Sequence, residues 1–164
     1  MKYVCIALIV AASCALGTTF TRQEKQRMEL IKRLMEFCLQ LEAAMLGMGL
    51  SLMRVLLESD IEGFKSCALM MEQDPSLPIE ATVKAAFLGQ KNAGDNREAI
   101  GIAARLVGGV SRAKTAQQIT HAVKITQEEL ARLLKEATEV RLKRAVTIRS
   151  VVVFAGIAMG IILI

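Results

Sequence analysis

The chain holds no tryptophan, one tyrosine and five phenylalanines among its 164 residues. No strip of aromatic rings interleaves with Lys and Arg, so nucleic-acid bases find no stacking platform. The net charge of +5 therefore needs another explanation. Only two prolines occur, both in Asp74-Pro75-Ser76-Leu77-Pro78, and helices elsewhere can run without that interruption. His121 is the sole histidine. It has no neighbouring Ser or Cys nucleophile, and general-base work needs a positioned partner, so it reads as a surface or packing residue. Cys5, Cys14, Cys38 and Cys67 form no Cys-x-x-Cys and no cluster with histidine, which argues against zinc. No phosphate-cradling Gly-x-x-x-x-Gly-Lys-[Ser/Thr] loop occurs. No pair of carboxylates stands out, and no residue is nominated as catalytic, metal-binding or cofactor-binding. No alternating strand pattern of useful length is present.

What is present is concentrated at the two ends. Val4 to Phe20 carries no charge, and Arg22, Lys25 and Arg27 follow at once. Ser150 to Ile164 carries no charged side chain, and Arg141, Lys143, Arg144 and Arg149 precede it. Lys and Arg beside a membrane segment stay on the cytoplasmic side. Both ends then point the same way: a transmembrane anchor at 1–20, a cytoplasmic domain at 21–149 and a transmembrane segment at 150–164, with both termini outside. The basic residues at the junctions face an anionic leaflet, which accounts for the net charge without nucleic acid. Seventeen residues from Val4 to Phe20 make a helix of about 26 Å at about 1.5 Å per residue. That is short of a hydrocarbon core of about 30 Å, so local thinning or helix pairing would relieve the mismatch. Gly156 and Gly160 form a Gly-x-x-x-Gly, read either as a close-packing face or as apolar filler. The alternative for the N-terminus is a cleaved signal, with Ala12-Ser13-Cys14 as a lipoprotein-like site. It would make the chain a secreted or lipid-anchored helical binding protein. It would also carry Arg22, Lys25 and Arg27 across the membrane, against the positive-inside bias.

The middle is rich in strong helix formers. Met28, Ile31, Met35, Cys38, Glu42 and Met45 recur at spacings of 3 and 4, with Leu30, Leu34, Phe37 and Leu41 beside them. So broad an apolar face suits a bundle. Gly47 and Gly49 mark its end. Helices are expected from about Leu50 to Glu58, Ile61 to Gln73, Pro78 or Ile79 to Gln90, and Asn96 to Val107. The two prolines punctuate one break, and Lys91 to Asp95 another, with Asp95 as N-cap. Gly108-Gly109 is expected to stop the fifth helix, and Ser111 to cap a last, long one. In that helix Ile119, Val123, Thr126, Leu130, Leu133, Ala137 and Val140 alternate by 4 and 3, a seam of about three heptads. The fold class is all-α: a cytoplasmic helical bundle on a long helical hairpin, flanked by N- and C-terminal transmembrane helices. Free Cys38 and Cys67 fall on apolar faces, where a thiol acts as a small hydrophobe. Glu42 is the odd seam residue. It is either a partly exposed carboxylate at a face boundary or a contact to Arg, Lys or a partner.

These landmarks resemble the stage III sporulation protein AB family of endospore-forming bacteria, over nearly the whole chain. Arg149-Ser150, Gly156 and Ile161-Ile162-Leu163-Ile164 look like its closing segment. Gly109-x-Ser111 followed by Gln117-Gln118-x-x-His121 looks like a degenerate Leu-Gly-x-Ser-Asp-Arg-x-x-Gln, and Leu41-Glu42 matches a Leu-Glu on the first long helix. Gly108 replaces the usual Leu, Arg112 the usual Asp and Ala44 a second Glu. A Pro expected near Ser51 is absent, and the glutamine aligns after a one-residue slip. The resemblance implies a non-enzymatic membrane platform on the mother-cell side of the forespore, within a secretion-like channel complex. Its cytoplasmic domain would be similar to that of type II secretion platform proteins. The implied partners are a cytoplasmic secretion-type ATPase, the stage III sporulation protein AA, and further membrane components, with a homo-oligomer also open. Glu42, Gly109, Ser111, Gln117 and Gln118 become the candidate docking or fold-defining residues. Arg22, Lys25, Arg27, Lys143, Arg144 and Arg149 are the membrane-interface cations. No cofactor is implied.

Overall fold

The computed structural model describes residues 25–89 and 96–163, apart from the side chains of residue 141 and residues 143–163. Every regular element among them is helical. Helix α1 covers residues 25–42 and continues into a π-helical turn, Ala43–Gly47. Then come α2 (Leu52–Glu58), α3 (Glu62–Gln73), α4 (Ile79–Leu88), α5 (Arg97–Arg112) and α6 (Ala116–Leu163). The proposed anchor at 1–20 lies outside the described residues. The segment from residue 150 to 163 is helical in its backbone, and its side chains lie outside the description. Among the described residues, no helix is long and apolar enough to cross a membrane.

Contacts divide the chain into two units, Met1–Met28 with Lys135–Ile164, and Glu29–Leu134. In the former, Thr138 Oγ1 donates to Met28 Sδ at 3.9 Å. In the latter, one apolar core draws on every helix. From α1 come Ile31, Leu34, Phe37, Cys38 and Leu41, the two stripes that the 3-and-4 spacing places side by side. From α6 come Val123, Leu130 and Leu133, with Thr126 buried among them and its hydroxyl donating to the Ala122 carbonyl at 2.9 Å. That local bond satisfies a buried hydroxyl and lets a polar residue hold a seam position. The seam fades beyond Leu133, and Val140 is exposed.

Three of the five phenylalanines meet at the centre. Phe64 stacks on Phe37 with ring centroids 4.1 Å apart and meets Phe87 edge-on at 5.1 Å. This ties α1, α3 and α4 together with an aromatic contribution beyond area burial. Gly63 makes the approach possible: a Cβ there would lie 2.6 Å from the Phe87 ring. In sequence order, α3 packs on α2 and α4, and α4 on α5. The Asp74–Pro78 loop turns on Asp74, whose Oδ1 accepts from both the Ser76 hydroxyl (2.6 Å) and its N–H (3.1 Å). Those two bonds hold the Asp74 carboxyl below its ordinary value.

Helix limits differ from expectation at several places. Helix α2 starts at Leu52, with Ser51 as its N-cap, the side chain accepting from Arg54 N–H. Helix α4 ends at Leu88, short of Gln90. Asn96 precedes α5, and Asp95 lies outside the described residues. The main correction concerns α5, which runs straight through Gly108-Gly109 to Arg112. Two glycines cost a helix interior about 2 kcal/mol together. Val107 and Val110, both buried on the same face, outweigh them at about 1.5–3 kcal/mol each. Gly108 is also where the Glu80 side chain lies, in the space a Cβ would take.

Candidate functional site

The candidate residues gather around the first turns of α6. Its N-terminus is built locally. Thr115 precedes the helix, and its Oγ1 accepts from Gln118 N–H at 3.3 Å. Gln118 Oε1 reaches back to accept from Lys114 N–H at 2.7 Å. This is the reciprocal logic of a capping box, displaced by one residue on the return. Ser111 therefore does not cap α6. It lies in the last turn of α5, and its hydroxyl donates to the Gly108 carbonyl at 2.9 Å. The Thr115-x-x-Gln118 spacing is itself a helix-start signal, and Thr115 is the residue that sequence reasoning missed.

One turn into α6, Thr120 Oγ1 donates to Glu42 Oε1 at 2.8 Å. Glu42 is half-buried at the end of α1. Its partner is a hydroxyl, not the Arg or Lys weighed for it, and nothing in the sequence spacing singled out Thr120. Gly109 faces the next turn of α6, where its Cβ position is 3.8 Å from Ala122 Cβ. Gln117 and His121 are exposed on α6. The ends of α1 and α5 and the start of α6 thus share one place, with Glu42, Gly109 and Gln118 all in contact with the opening of α6 or its cap.

Two departures from the expected family pattern meet on one residue. Glu80 of α4 fills the space left at Gly108, and its Oε1 accepts from Arg112 Nη2 at 2.6 Å. A larger side chain at 108 would displace Glu80, and an acidic residue at 112 would repel it. A second ion pair, Arg105 to Glu129 at 2.6 Å, joins α5 to α6.

Of the basic residues, Lys25 is exposed and Arg27 half-buried near the start of α1. Arg22 lies outside the described residues, as do the side chains of Lys143, Arg144 and Arg149. Cys38 and Cys67 are buried free thiols, pushed up to about 12 and about 11 by burial. They pack as hydrophobes and are far from nucleophilic. Among the described residues, no group of three or more His, Cys, Asp and Glu could hold a metal ion.

A family model described as stage III sporulation protein AB matches residues 2–164. The chain belongs to the stage III sporulation protein AB family. The match spans both apolar ends as well as the helical middle. No curated protein and no solved structure matches this family member. The start of α6 gathers one carboxylate, two glutamine amides and hydroxyls, with Glu42, Thr115 and Gln118 bonded within the chain.

Proposed function

We propose that the chain is a membrane platform of the mother-cell-to-forespore channel complex, and that it docks a cytoplasmic secretion-type ATPase, the stage III sporulation protein AA. The observation that carries this reading is the family match over residues 2–164. In this role the chain does no chemistry. Residues 1–20 and 150–164 anchor it in the mother-cell membrane around the forespore, with residues 21–149 cytoplasmic and both termini outside. The charge pattern at the two junctions supports that topology. Hydrogen bonds from α6 to Met28 and to Glu42 support the pairing of the first and last helices as a hairpin. Glu42 and the Gly109–Gln118 turn form the docking region, and further copies of the chain and other membrane components complete the assembly.

The test is recovery of the tagged full-length chain in detergent from sporulating cells, with partners identified by mass spectrometry. Co-recovery of the ATPase and channel components is the expected result. Recovery of the chain without them overturns the docking role. Tags at each terminus, probed from outside, check the topology separately; a cytoplasmic C-terminus removes it.

A further inference from the structure

The last turn of α5 is wound against its own sequence. Gly108 and Gly109 stand side by side in it, and glycine gives up the most backbone freedom on joining a helix. The Ser111 hydroxyl donates back to the Gly108 carbonyl at 2.9 Å, a bond that competes for the helix's own acceptor. Ala113 N–H then closes the helix on the Val110 carbonyl at 3.1 Å, three residues back rather than four. Glycine and serine close together in a helix are a recurrent place for kinks. Two features oppose unwinding. Val110 is buried, with Val107 one turn before it. Glu80, in the first turn of α4, lies over Gly108 in the space a Cβ would take, and its Oε1 accepts from Arg112 Nη2 at 2.6 Å. Each charge suits the helix end it occupies, an acid at the start of α4 and a cation at the end of α5. The pair is open to water, with the Arg112 side chain 73% exposed.

Across the corner, α6 is closed without help from α5. Only Ala113, Lys114 and Thr115 separate the two helices. Lys114 N–H donates to Gln118 Oε1, and Thr115 Oγ1 accepts from Gln118 N–H, so the cap of α6 is made by its own first turn and that link. We propose that residues 108–112 are a latched hinge. The Glu80–Arg112 pair keeps the turn wound, and its release lets the turn unwind while the rest of α5 and the cap of α6 stay formed. Opening extends the connection between the helices to residues 108–115, uncovers Val110 and withdraws Gly109 from Ala122 of α6. Arg105 lies before the glycines and keeps its pair with Glu129, so α5 remains tied to α6. A few residues that absorb backbone change between formed elements are what a hinge requires. The hinge lies in the docking region proposed above, and it exists whether or not a partner binds there.

Amide hydrogen exchange on the full-length chain in detergent tests this, with each rate corrected for its intrinsic chemistry. Amides of residues 110–113 should exchange faster than those of residues 102–106 in the same helix. Ordinary fraying gives that order too, and the latch separates the two. Glu80→Gln, which keeps the shape and removes the charge, should speed exchange of residues 110–113 about threefold and leave residues 102–106 unchanged. Adding Arg112→Gln should speed it no further. Raising the salt concentration should speed the same amides in the unaltered chain and not in the Glu80→Gln chain, because an exposed pair is screened. Gly109→Ala, for which there is room beside Ala122, should slow them about fivefold. Arg54→Gln breaks an exposed pair elsewhere, with Glu58, and should leave them as they are. Exchange of residues 110–113 that ignores both Glu80→Gln and salt overturns the latch and leaves only fraying. Exchange of residues 102–113 as one unit, in every variant, overturns the hinge.

Discussion

Thr120 Oγ1 donates to Glu42 Oε1 at 2.8 Å, joining residues 78 apart in the chain. The bond fixes the end of α1 against the first turns of α6, where the other candidate residues gather. A hydrogen bond in so accessible a place contributes about 0.5–1.5 kcal/mol. Glu42→Ala and Thr120→Val should each destabilise by about that much, and the double variant by little more than either alone. Urea unfolding of the four proteins measures the coupling. Glu42→Gln, which keeps an acceptor, should unfold like the unaltered chain. If it nonetheless loses the ATPase, the carboxylate charge serves docking as well as folding.

The start of α6 offers a cleaner contrast. Thr115→Ala removes the cap and should cost about 0.5–2 kcal/mol. Ser111→Ala removes only a bond from a hydroxyl to a carbonyl of its own helix and should change stability by less than about 0.5 kcal/mol. Equal losses from both would contradict the assignment of Thr115 as the cap.

Gly63 and Gly108 both sit where a Cβ would collide, yet their substitutions should differ. At Gly63 the obstacle is the Phe87 ring, held by its contact with Phe64. Gly63→Ala should therefore lower stability by about 1–3 kcal/mol. At Gly108 the obstacle is the end of Glu80, a flexible side chain. It can swing out, and the gain in helix propensity of about 1 kcal/mol offsets the lost ion pair. Gly108→Ala should be close to neutral, and Arg112→Ala should then cost nothing further on that background. Thermal unfolding distinguishes the two positions.

Burial raises the Cys38 and Cys67 thiols to about 12 and about 11, from an ordinary value of 9.0. Above about pH 9 the unfolded chain releases these protons and the folded one keeps them, so stability falls as pH rises. The loss should continue up to the folded values and be fully absent below pH 9. In a Cys5→Ser, Cys14→Ser background, iodoacetamide at about pH 8 should leave both thiols unlabelled until the chain is unfolded. Replacing both remaining cysteines by Ala should flatten the part of the alkaline stability loss that they cause. An unchanged slope would count against their burial.

Much of the helix plan was legible. Ile31 and Cys38 of one expected stripe, Leu34, Phe37 and Leu41 of the other, and the seam residues Val123, Leu130 and Leu133 are buried as spacing implied, because an amphipathic helix must bury one face. Pro78 before α4 was an equally local signal. The limits of α5 were not legible. Gly108-Gly109 looks like a stop until Val107 and Val110 are seen buried and Glu80 is seen lying over Gly108. Glu42 stood out as a seam carboxylate and the expected hairpin brought the last helix beside the first, but spacing did not single out Thr120 as its partner.

The sequence by itself determined that this is an all-helical family member with apolar ends, since periodicity, capping and charge bias act within a few residues of chain. Only the tertiary structure decided that Glu42 meets Thr120, that Gly63 admits Phe87 and that α5 outlasts its glycines. Those outcomes depend on atoms from distant segments competing for the same space, and no local pattern records which of them arrives.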